Sequence, residues 1–201
     1  MKLKKKTPVL KGSKWIETNR LLLRPWRSED LEDFYSYAKD EEVGPRAGWD
    51  AHASIDETRK ILAHFIKSDN IFALEEKASG RVIGSFGFHE ILPTLVPYFS
   101  DYNGWEIGYV LNREYWNQGL MSEAVGAVIE TFFTCFDMDF FVCGHFEGNQ
   151  GSRRVIEKTG FIYMENISYM GQGGREYDTA MYYQWNPKKK DPIKDHLKEL
   201  F

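Results

Sequence analysis

The chain has 201 residues, enough for one domain of ordinary size, and 42% hydrophobic and 15% aromatic residues can supply its core. A formal net charge of −4 argues against nucleic acid as the principal partner. No apolar run approaches the roughly 18 residues that span a bilayer, and no apolar segment follows the basic start of the chain. We therefore expect a cytoplasmic protein with no signal peptide and no membrane partner.

The N-terminal part predicts an arm, a strand and two helices. Residues 1–14 are rich in lysine and are expected to form a flexible basic arm. Residues 16–26 are typical of a strand that a proline closes. Ser28 is predicted to cap the first helix and Ser54 the second, the latter with a glutamate three positions on. The loop at 44–52 is expected on the surface, where it can line a cleft.

The rest of the chain alternates between strand and helix patterns. We predict strands at 71–76, 81–90, 105–111, 140–146, 161–169 and 176–185, and helices at 122–133 and 149–159. The loop at 91–104, rich in aromatic residues and proline, is expected to be functional or mobile. The order β-α-α-β-β-β-α-β-α-β-β predicts one mixed α/β domain at 15–186, followed by a charged tail at 187–201 with a short amphipathic helix.

The two cysteines, Cys135 and Cys143, give neither a disulfide framework nor a metal-ligand spacing. We expect two reduced and mostly buried thiols, and no metal. Cys143 lies inside an apolar strand pattern and is expected in the core. The alternative is an acyl carrier.

The stretch from 105 to 133 predicts an anion-binding site. A strand leads through a turn that contains Asn117 and Gly119 into a helix that begins at Ser122. The first N–H groups of a helix have no intrahelical partner, and the helix dipole adds positive charge. The alternative is an ordinary strand-to-helix connection.

Four motifs in register resemble the GNAT superfamily of acetyl-CoA-dependent N-acetyltransferases, and within it the RimJ/RimL type that acetylates the N-termini of ribosomal proteins. They lie at 20–25, at 48–58, at 108–124 (with Tyr-Trp-Asn-Gln-Gly-Leu-Met-Ser-Glu-Ala at its end) and at 149–161. The resemblance implies a single GNAT-type domain. Its mixed, mostly antiparallel sheet would be splayed at the acetyl-CoA site and flanked by about four helices.

The resemblance also implies which residues bind acetyl-CoA. Backbone groups at the end of the 105–111 strand would bind the pantetheine arm, and the N–H of Val110 or Leu111 would face the thioester oxygen. The turn at 117–122 would hold the pyrophosphate. The implied contacts are Val110, Leu111, Asn117, Gln118, Gly119, Leu120, Met121, Ser122, Asn149 and Ser152. Met121 departs from the pattern, because the family usually has a small residue there.

Glu106 is the candidate general base, since strand alternation places it on the same face as Val110. The alternatives are a solvated or salt-bridged strand carboxylate without a catalytic role, or a base supplied by Glu75, Glu76, His89 or Glu90. Many relatives carry a tyrosine at the position of Ile156, which cannot donate a proton. Ser152 is therefore the candidate acid toward the leaving thiolate, and a hydroxyl bonded to its own helix is the alternative.

The resemblance implies direct attack of a primary amine on acetyl-CoA in a ternary complex, most plausibly by the N-terminal α-amine of a protein or peptide. A small-molecule amine (a polyamine, an aminoglycoside or an amino acid) is the alternative acceptor, and a non-catalytic acyl-CoA sensor is the alternative function. A monomer or a homodimer is expected, with no nucleic-acid partner.

Overall fold

The computed structural model describes residues 16–194. The strands are β1 (Ile16–Glu17), β2 (Leu21–Pro25), β3 (Ile71–Glu76), β4 (Val82–His89), β5 (Gly104–Leu111), β6 (Phe140–Phe146), β7 (Ile162–Met170) and β8 (Glu176–Trp185). The helices are α1 (Leu31–Ala38), α2 (Ile55–Lys67), the single turn α3 (Val96–Phe99), α4 (Leu120–Cys135) and α5 (Gln150–Lys158). The predicted arm at 1–14 and the end of the predicted tail lie outside the described residues.

All eight strands form one sheet in the order β1-β2-β3-β4-β5-β6-β8-β7. The first five strands pair antiparallel with their neighbours, and β8 is antiparallel to both β6 and β7. Only β5 and β6 are parallel, because the helix α4 carries the chain between them. The predicted mixed, mostly antiparallel sheet is confirmed.

The sheet is splayed between β5 and β6. These strands pair at only three positions, from Gly104 with Phe140 to Glu106 with Val142, and the rest of each strand has no partner on that side. The pairing of β4 with β5 is in unbroken register from His89–Glu106 to Gly84–Leu111. The family often places a bulge at this splay, whereas here the strands separate without one.

Helices cover both faces of the sheet. α1 and α2 pack over one face, where Trp26, Phe34 and Leu62 are buried. α4 and α5 cover the other face. The buried side of α4 is the predicted one, at the helical spacing of Ala124, Val125, Val128, Ile129, Phe132 and Phe133.

The cap of α2 matches the prediction and the cap of α1 does not. The Ser54 hydroxyl accepts from the N–H of Glu57 at 3.3 Å, and the Glu57 carboxylate accepts from the Ala53 N–H at 2.8 Å. The prediction that Ser28 caps the first helix is wrong, because Ser28 lies inside a 3-10 turn that begins after Arg27. The Asp30 carboxylate instead accepts from the Arg27 N–H at 2.8 Å. Asp30 also binds Arg24, which explains why an acid stands there.

The 91–104 loop packs against the sheet. Leu95 and Phe99 are fully buried, and the Phe99 ring stacks on Phe140 with centroids 4.2 Å apart. In this loop only Leu92 reaches the large cleft described below. The loop therefore closes the core at the start of β5 and β6.

Cys143 is buried as predicted, but Cys135 is exposed, because it is the last residue of α4 and its side chain lies beyond the buried stripe. At the start of the C-terminal tail, Lys189 pairs with Asp137 and Asp139, and Ile193 is buried. Within residues 16–194, no helix is both long and apolar enough to cross a membrane.

Candidate active site

A cleft of about 970 Å³ opens where β5 and β6 separate. Its walls come from the free edge of β5, the first turn of α4, the start of α5, and the loops at 43–49 and 169–172. Of the eleven residues predicted as catalytic or acetyl-CoA-binding, ten line this cleft: Glu106, Val110, Leu111, Asn117, Gly119, Leu120, Met121, Ser122, Asn149 and Ser152. Gln118 does not line it. These ten residues come from three segments of the chain, at 106–111, 117–122 and 149–152, which the fold brings together at the cleft.

The free edge of β5 offers backbone groups to the cleft at alternate residues. The Asn112 N–H donates to the Ile83 carbonyl at 2.7 Å, which fixes the antiparallel pattern between β4 and β5. In that pattern the N–H and C=O of Val110 face β4, and those of Tyr109 and Leu111 face the cleft. The Leu111 carbonyl already accepts from Trp116 Nε1 at 2.8 Å. Of the two predicted oxyanion donors, only the Leu111 N–H therefore points toward the cleft.

The turn before α4 presents free N–H groups. Gly119 begins the helix with a positive φ of 75°, and no side chain caps it. A residue with a Cβ is strained in this conformation, which explains the glycine. The N–H groups of Leu120, Met121 and Ser122 are left without intrahelical partners at the mouth of the cleft. Because the Met121 side chain is buried in the core, its size does not block the turn.

Gln118 faces away from the cleft, and its groups hold the turn together. Its side chain donates to the Glu114 carbonyl at 3.0 Å, and its own carbonyl accepts from Arg20 Nη1 at 3.0 Å. Arg20 also forms an ion pair with Glu123 in the first turn of α4, at 2.7 Å. Burial alone would raise the pKa of Glu123, but hydrogen bonds from Thr18 and Arg20 lower it below its ordinary value. Sequence reasoning gave Arg20 no role, since its partners lie about a hundred positions along the chain.

The start of α5 carries two of the predicted residues. Asn149 caps the helix, its Oδ1 accepting from the Ser152 N–H at 3.1 Å, and its Nδ2 donates to the Arg46 carbonyl at 3.1 Å. The Asn149 amide thus ties the start of α5 to the 43–49 loop, and since Nδ2 carries two hydrogens, its second N–H can still donate to pantetheine. The Ser152 Oγ lies 3.0 Å from the hydroxyl of Tyr109.

Tyr109 was missed by sequence reasoning. In the strand pattern at 105–111 it is one of several apolar and aromatic residues. Strand alternation nevertheless places it on the opposite face from Glu106, which in the structure is the face toward α5. That alternation was the available signal. Ile156, at the position where many relatives have a tyrosine, is buried in the core.

Glu106 lies on the cleft face of β5 in a poorly solvated place. Its Oε2 is buried and has no hydrogen-bond partner among residues 16–194. Burial raises the pKa of Glu106 to about 7, although a hydrogen bond from the Leu92 backbone lowers it in part. The carboxylate therefore exchanges its proton near neutral pH, as a general base must. Within residues 16–194, Glu106 forms no ion pair.

His89 is the register partner of Glu106 on the same face of the sheet. Its ring covers two glycines: a Cβ on Gly87 would lie 2.8 Å from His89 Nε2, and one on Gly108 would lie 3.2 Å away. The close approach of the ring requires glycine at these positions. Burial lowers the pKa of His89, so the ring is neutral at pH 7.

The other carboxylates differ in their surroundings. Glu75 Oε2 accepts from the buried Arg24 at 2.5 Å, and Glu76 accepts from the Ser79 hydroxyl at 2.7 Å. Neither lines the cleft, whereas Glu90 does. The Cys143 thiol also lines the cleft, but burial raises its pKa and keeps it protonated, which disfavours the role of acyl carrier.

The loop at 44–52 lines the cleft through residues 46–49, as predicted, and it contacts the loop at 169–175. The Gly48 carbonyl accepts from the Gln172 N–H at 2.7 Å, and Asp50 lies 3.5 Å from Arg175. On the acetyl-donor side, Arg154 and Lys158 add positive charge to the lining. On the other side, Glu90 and Glu106 add negative charge. The cleft therefore suits an anionic ligand at one end and a cationic amine at the other.

Comparison with known proteins agrees with this geometry. A family model described as an acetyltransferase (GNAT) domain matches residues 20–162. The uncharacterized N-acetyltransferase YoaA of Bacillus subtilis is 27% identical over 181 residues, covering 87% of this chain and 98% of that protein.

Two solved structures share the fold. The ribosomal-protein-S5-alanine acetyltransferase from Vibrio fischeri aligns with a TM-score of 0.67 and 19% identity, covering 89% of this chain and 100% of that one. RimL, a ribosomal L7/L12 alpha-N-protein acetyltransferase in complex with coenzyme A, aligns with a TM-score of 0.66 and 20% identity, covering 86% and 98%. At these identities the likeness concerns the fold alone.

Proposed function

The chain belongs to the GNAT acetyltransferase family and is an acetyl-CoA-dependent N-acetyltransferase, and from that premise we propose that its acceptor is the α-amine at the N-terminus of a protein or peptide. The observation that carries this proposal is a single buried carboxylate, Glu106, with a pKa near 7 at the cationic-amine end of the cleft. We place this reaction in the cytoplasm, between a monomeric or dimeric enzyme of the RimJ/RimL type and its acceptor.

The acidity of the acceptor favours an α-amine. A lysine amine with a pKa near 10.4 loses its proton at a cost of roughly 4 kcal/mol at pH 7.4, whereas an α-amine near 7.7–8.0 costs less than about 1 kcal/mol. One carboxylate that titrates near 7 is basic enough to deprotonate the α-amine, which is the less costly of the two deprotonations. The fold shared with a ribosomal-protein-S5-alanine acetyltransferase and with a ribosomal L7/L12 alpha-N-protein acetyltransferase supports a protein acceptor.

In the proposed reaction, acetyl-CoA enters along the free edge of β5. Its pyrophosphate binds the N–H groups at the start of α4, and its thioester oxygen accepts from the Leu111 N–H. Glu106, directly or through a water, takes the proton that the amine loses. The amine nitrogen bonds to the acetyl carbon, the C–S bond breaks with its electron pair on sulphur, and Ser152 donates a hydrogen bond to the departing thiolate.

Acetyl transfer to a panel of amines tests the acceptor. Release of the CoA thiol would be measured with ribosomal-protein N-terminal peptides, with the same peptides blocked at the α-amine but carrying a lysine, and with spermidine, an aminoglycoside and free amino acids. We expect the highest kcat/KM with the free α-amine peptides. A preference for any small amine would replace the proposed acceptor class, and CoA binding without turnover on any amine would indicate a sensor.

The serine is tested separately. Ser152→Ala is expected to lower kcat more than twofold while KM for the amine stays near the wild-type value, because the serine acts only on the leaving group. A smaller effect would remove Ser152 from the mechanism.

A further inference from the structure

We propose that Tyr109 is a positioning residue that holds the Ser152 hydroxyl toward the departing sulphur of CoA. This inference rests on the proposed role of Ser152 at the donor end of the cleft. It does not depend on which amine is the acceptor.

The tyrosine spans the splay in the sheet. It starts on β5, and its Oη lies 3.0 Å from Ser152 Oγ and 3.4 Å from the Ser152 carbonyl on α5. The Cys143 thiol on β6 is close enough to this hydroxyl that each group influences the pKa of the other. All three side chains line the cleft. A phenol therefore connects the two separated strands and the helix at the point where the pantetheine arm would pass.

In the proposed arrangement Tyr109 is the donor and Ser152 Oγ the acceptor of their hydrogen bond, since a phenol is the more acidic of the two hydroxyls. A serine near the start of a helix can donate its proton to a backbone carbonyl three or four positions earlier in the chain. That proton is then not available to the leaving group. When the Tyr109 hydroxyl donates to Ser152 Oγ, the proton of Ser152 is free to point along the cleft. Burial keeps Tyr109 in its protonated, donating form, since it raises the pKa of the phenol well above 10.

Together, Tyr109 and Ser152 supply the hydrogen-bond donor to the leaving sulphur that Ile156 cannot supply. As the C–S bond breaks, its electron pair remains on sulphur, and the thiolate accepts a hydrogen bond from Ser152. Tyr109 donates to Ser152 in turn, and the two bonds in series strengthen one another. The thiolate takes its final proton from solvent, so no net proton transfer is required of Tyr109.

A double-mutant cycle tests the connection. Tyr109→Phe keeps the ring and removes only the hydroxyl, and we expect kcat with acetyl-CoA to fall about fivefold, the effect of one hydrogen bond, with KM for acetyl-CoA changed less than about twofold. In a Ser152→Ala background the same change is expected to have no further effect, because the tyrosine acts through the serine.

A second donor separates this role from a structural one. An aryl thioacetate has a much more acidic thiol, and its leaving group needs no hydrogen bond. Both single variants are then expected to react at the wild-type rate. Tyr182→Phe is the matched control: its hydroxyl lies 3.4 Å from His145 Nε2 and outside the cleft, and we expect wild-type rates with both donors.

Three results would overturn the proposal: additive losses in the double variant, equal losses with both donors, or a Tyr109→Phe variant as fast as wild type. If peptides fail as acceptors but a small amine reacts, the proposed acceptor is wrong. The double-mutant cycle of Tyr109 and Ser152 is then measured with that amine as the acceptor. A wild-type enzyme that releases no CoA with any acceptor would overturn both proposals.

Discussion

Two glutamates lie at the two ends of the segment that runs from β5 into the first turn of α4, and their surroundings are opposite. Glu123, beside the turn of α4, accepts from the Thr18 hydroxyl and from the backbone and guanidinium of Arg20. Glu106, on β5, has one buried oxygen with no partner in the described part of the chain. The pKa of the first is lowered, and that of the second is raised to about 7.

The difference explains the two opposite pKa shifts. Glu123 accepts several hydrogen bonds, and its partner Arg20 also holds the backbone of the turn before α4. Glu106 lacks such donors, so desolvation dominates and its carboxylate exchanges a proton near neutral pH. Of these two carboxylates, the one that accepts more hydrogen bonds from the protein has the lower pKa.

The largest expected effect is loss of turnover in Glu106→Gln. Removing a general base lowers kcat about 10²–10⁴-fold. In wild type, kcat/KM should rise with pH through about 7 as Glu106 loses its proton, and the variant should lack that limb. Glu90→Gln, which changes another carboxylate of the cleft, is the control and should retain activity. If the two variants behave in the opposite way, Glu90 is the base.

The same substitution should change how stability depends on pH. The pKa of Glu106 is raised from 4.5 to about 7 on folding, so its contribution to stability is present below about 4.5 and is lost as pH rises through 7. Relative to wild type, Glu106→Gln should therefore gain stability across that window, by up to about 3 kcal/mol. Denaturant unfolding at pH 4.5, 6 and 8 measures the difference, and a constant difference would contradict the burial of this carboxylate.

A smaller effect is expected at the paired end. Arg20→Ala removes the guanidinium from the Gln118 carbonyl and from Glu123. The turn loosens, and KM for acetyl-CoA should rise about tenfold, the equivalent of roughly one charged hydrogen bond. kcat should stay within about twofold. S-acetyl-pantetheine has no pyrophosphate, and its KM should not change. Equal changes for both donors would show that Arg20 does not act through the turn.

The smallest effect is expected at an exposed ion pair near Arg20. Lys77 lies 2.5 Å from Glu17, and both side chains are largely in solvent. Lys77→Ala should change the free energy of unfolding by less than about 0.5 kcal/mol and leave KM for acetyl-CoA as in wild type. It is the matched control for Arg20→Ala. A tenfold rise in KM for acetyl-CoA in Lys77→Ala would show that the loss of any positive charge near Arg20 weakens acetyl-CoA binding, and that the contacts of Arg20 are not specifically required.

Much of the fold could be predicted from the sequence because it depends on local pattern. Strands at 71–76, 140–146 and 176–185 were predicted with the bounds observed. Strand and helix periods are written in neighbouring residues, and β-branched runs, glycine turns and a capping serine mark their ends. The family resemblance added the mixed, mostly antiparallel character of the sheet and the place of the splay.

The sequence by itself determined most of the strands and helices, and which motifs resemble the acetyl-CoA site. The single strand predicted at 16–26 is two strands, β1 and β2, and the turn α3 lies where only a loop was predicted. Only the tertiary structure decided which groups are paired. Arg20 meets Glu123 across 103 positions, and Tyr109 meets Ser152 across 43. The same holds for the uncompensated burial of Glu106 and the choice of Leu111 over Val110 at the free edge. Hydrogen bonding and desolvation depend on what surrounds an atom in space, and no local pattern in the chain records those surroundings.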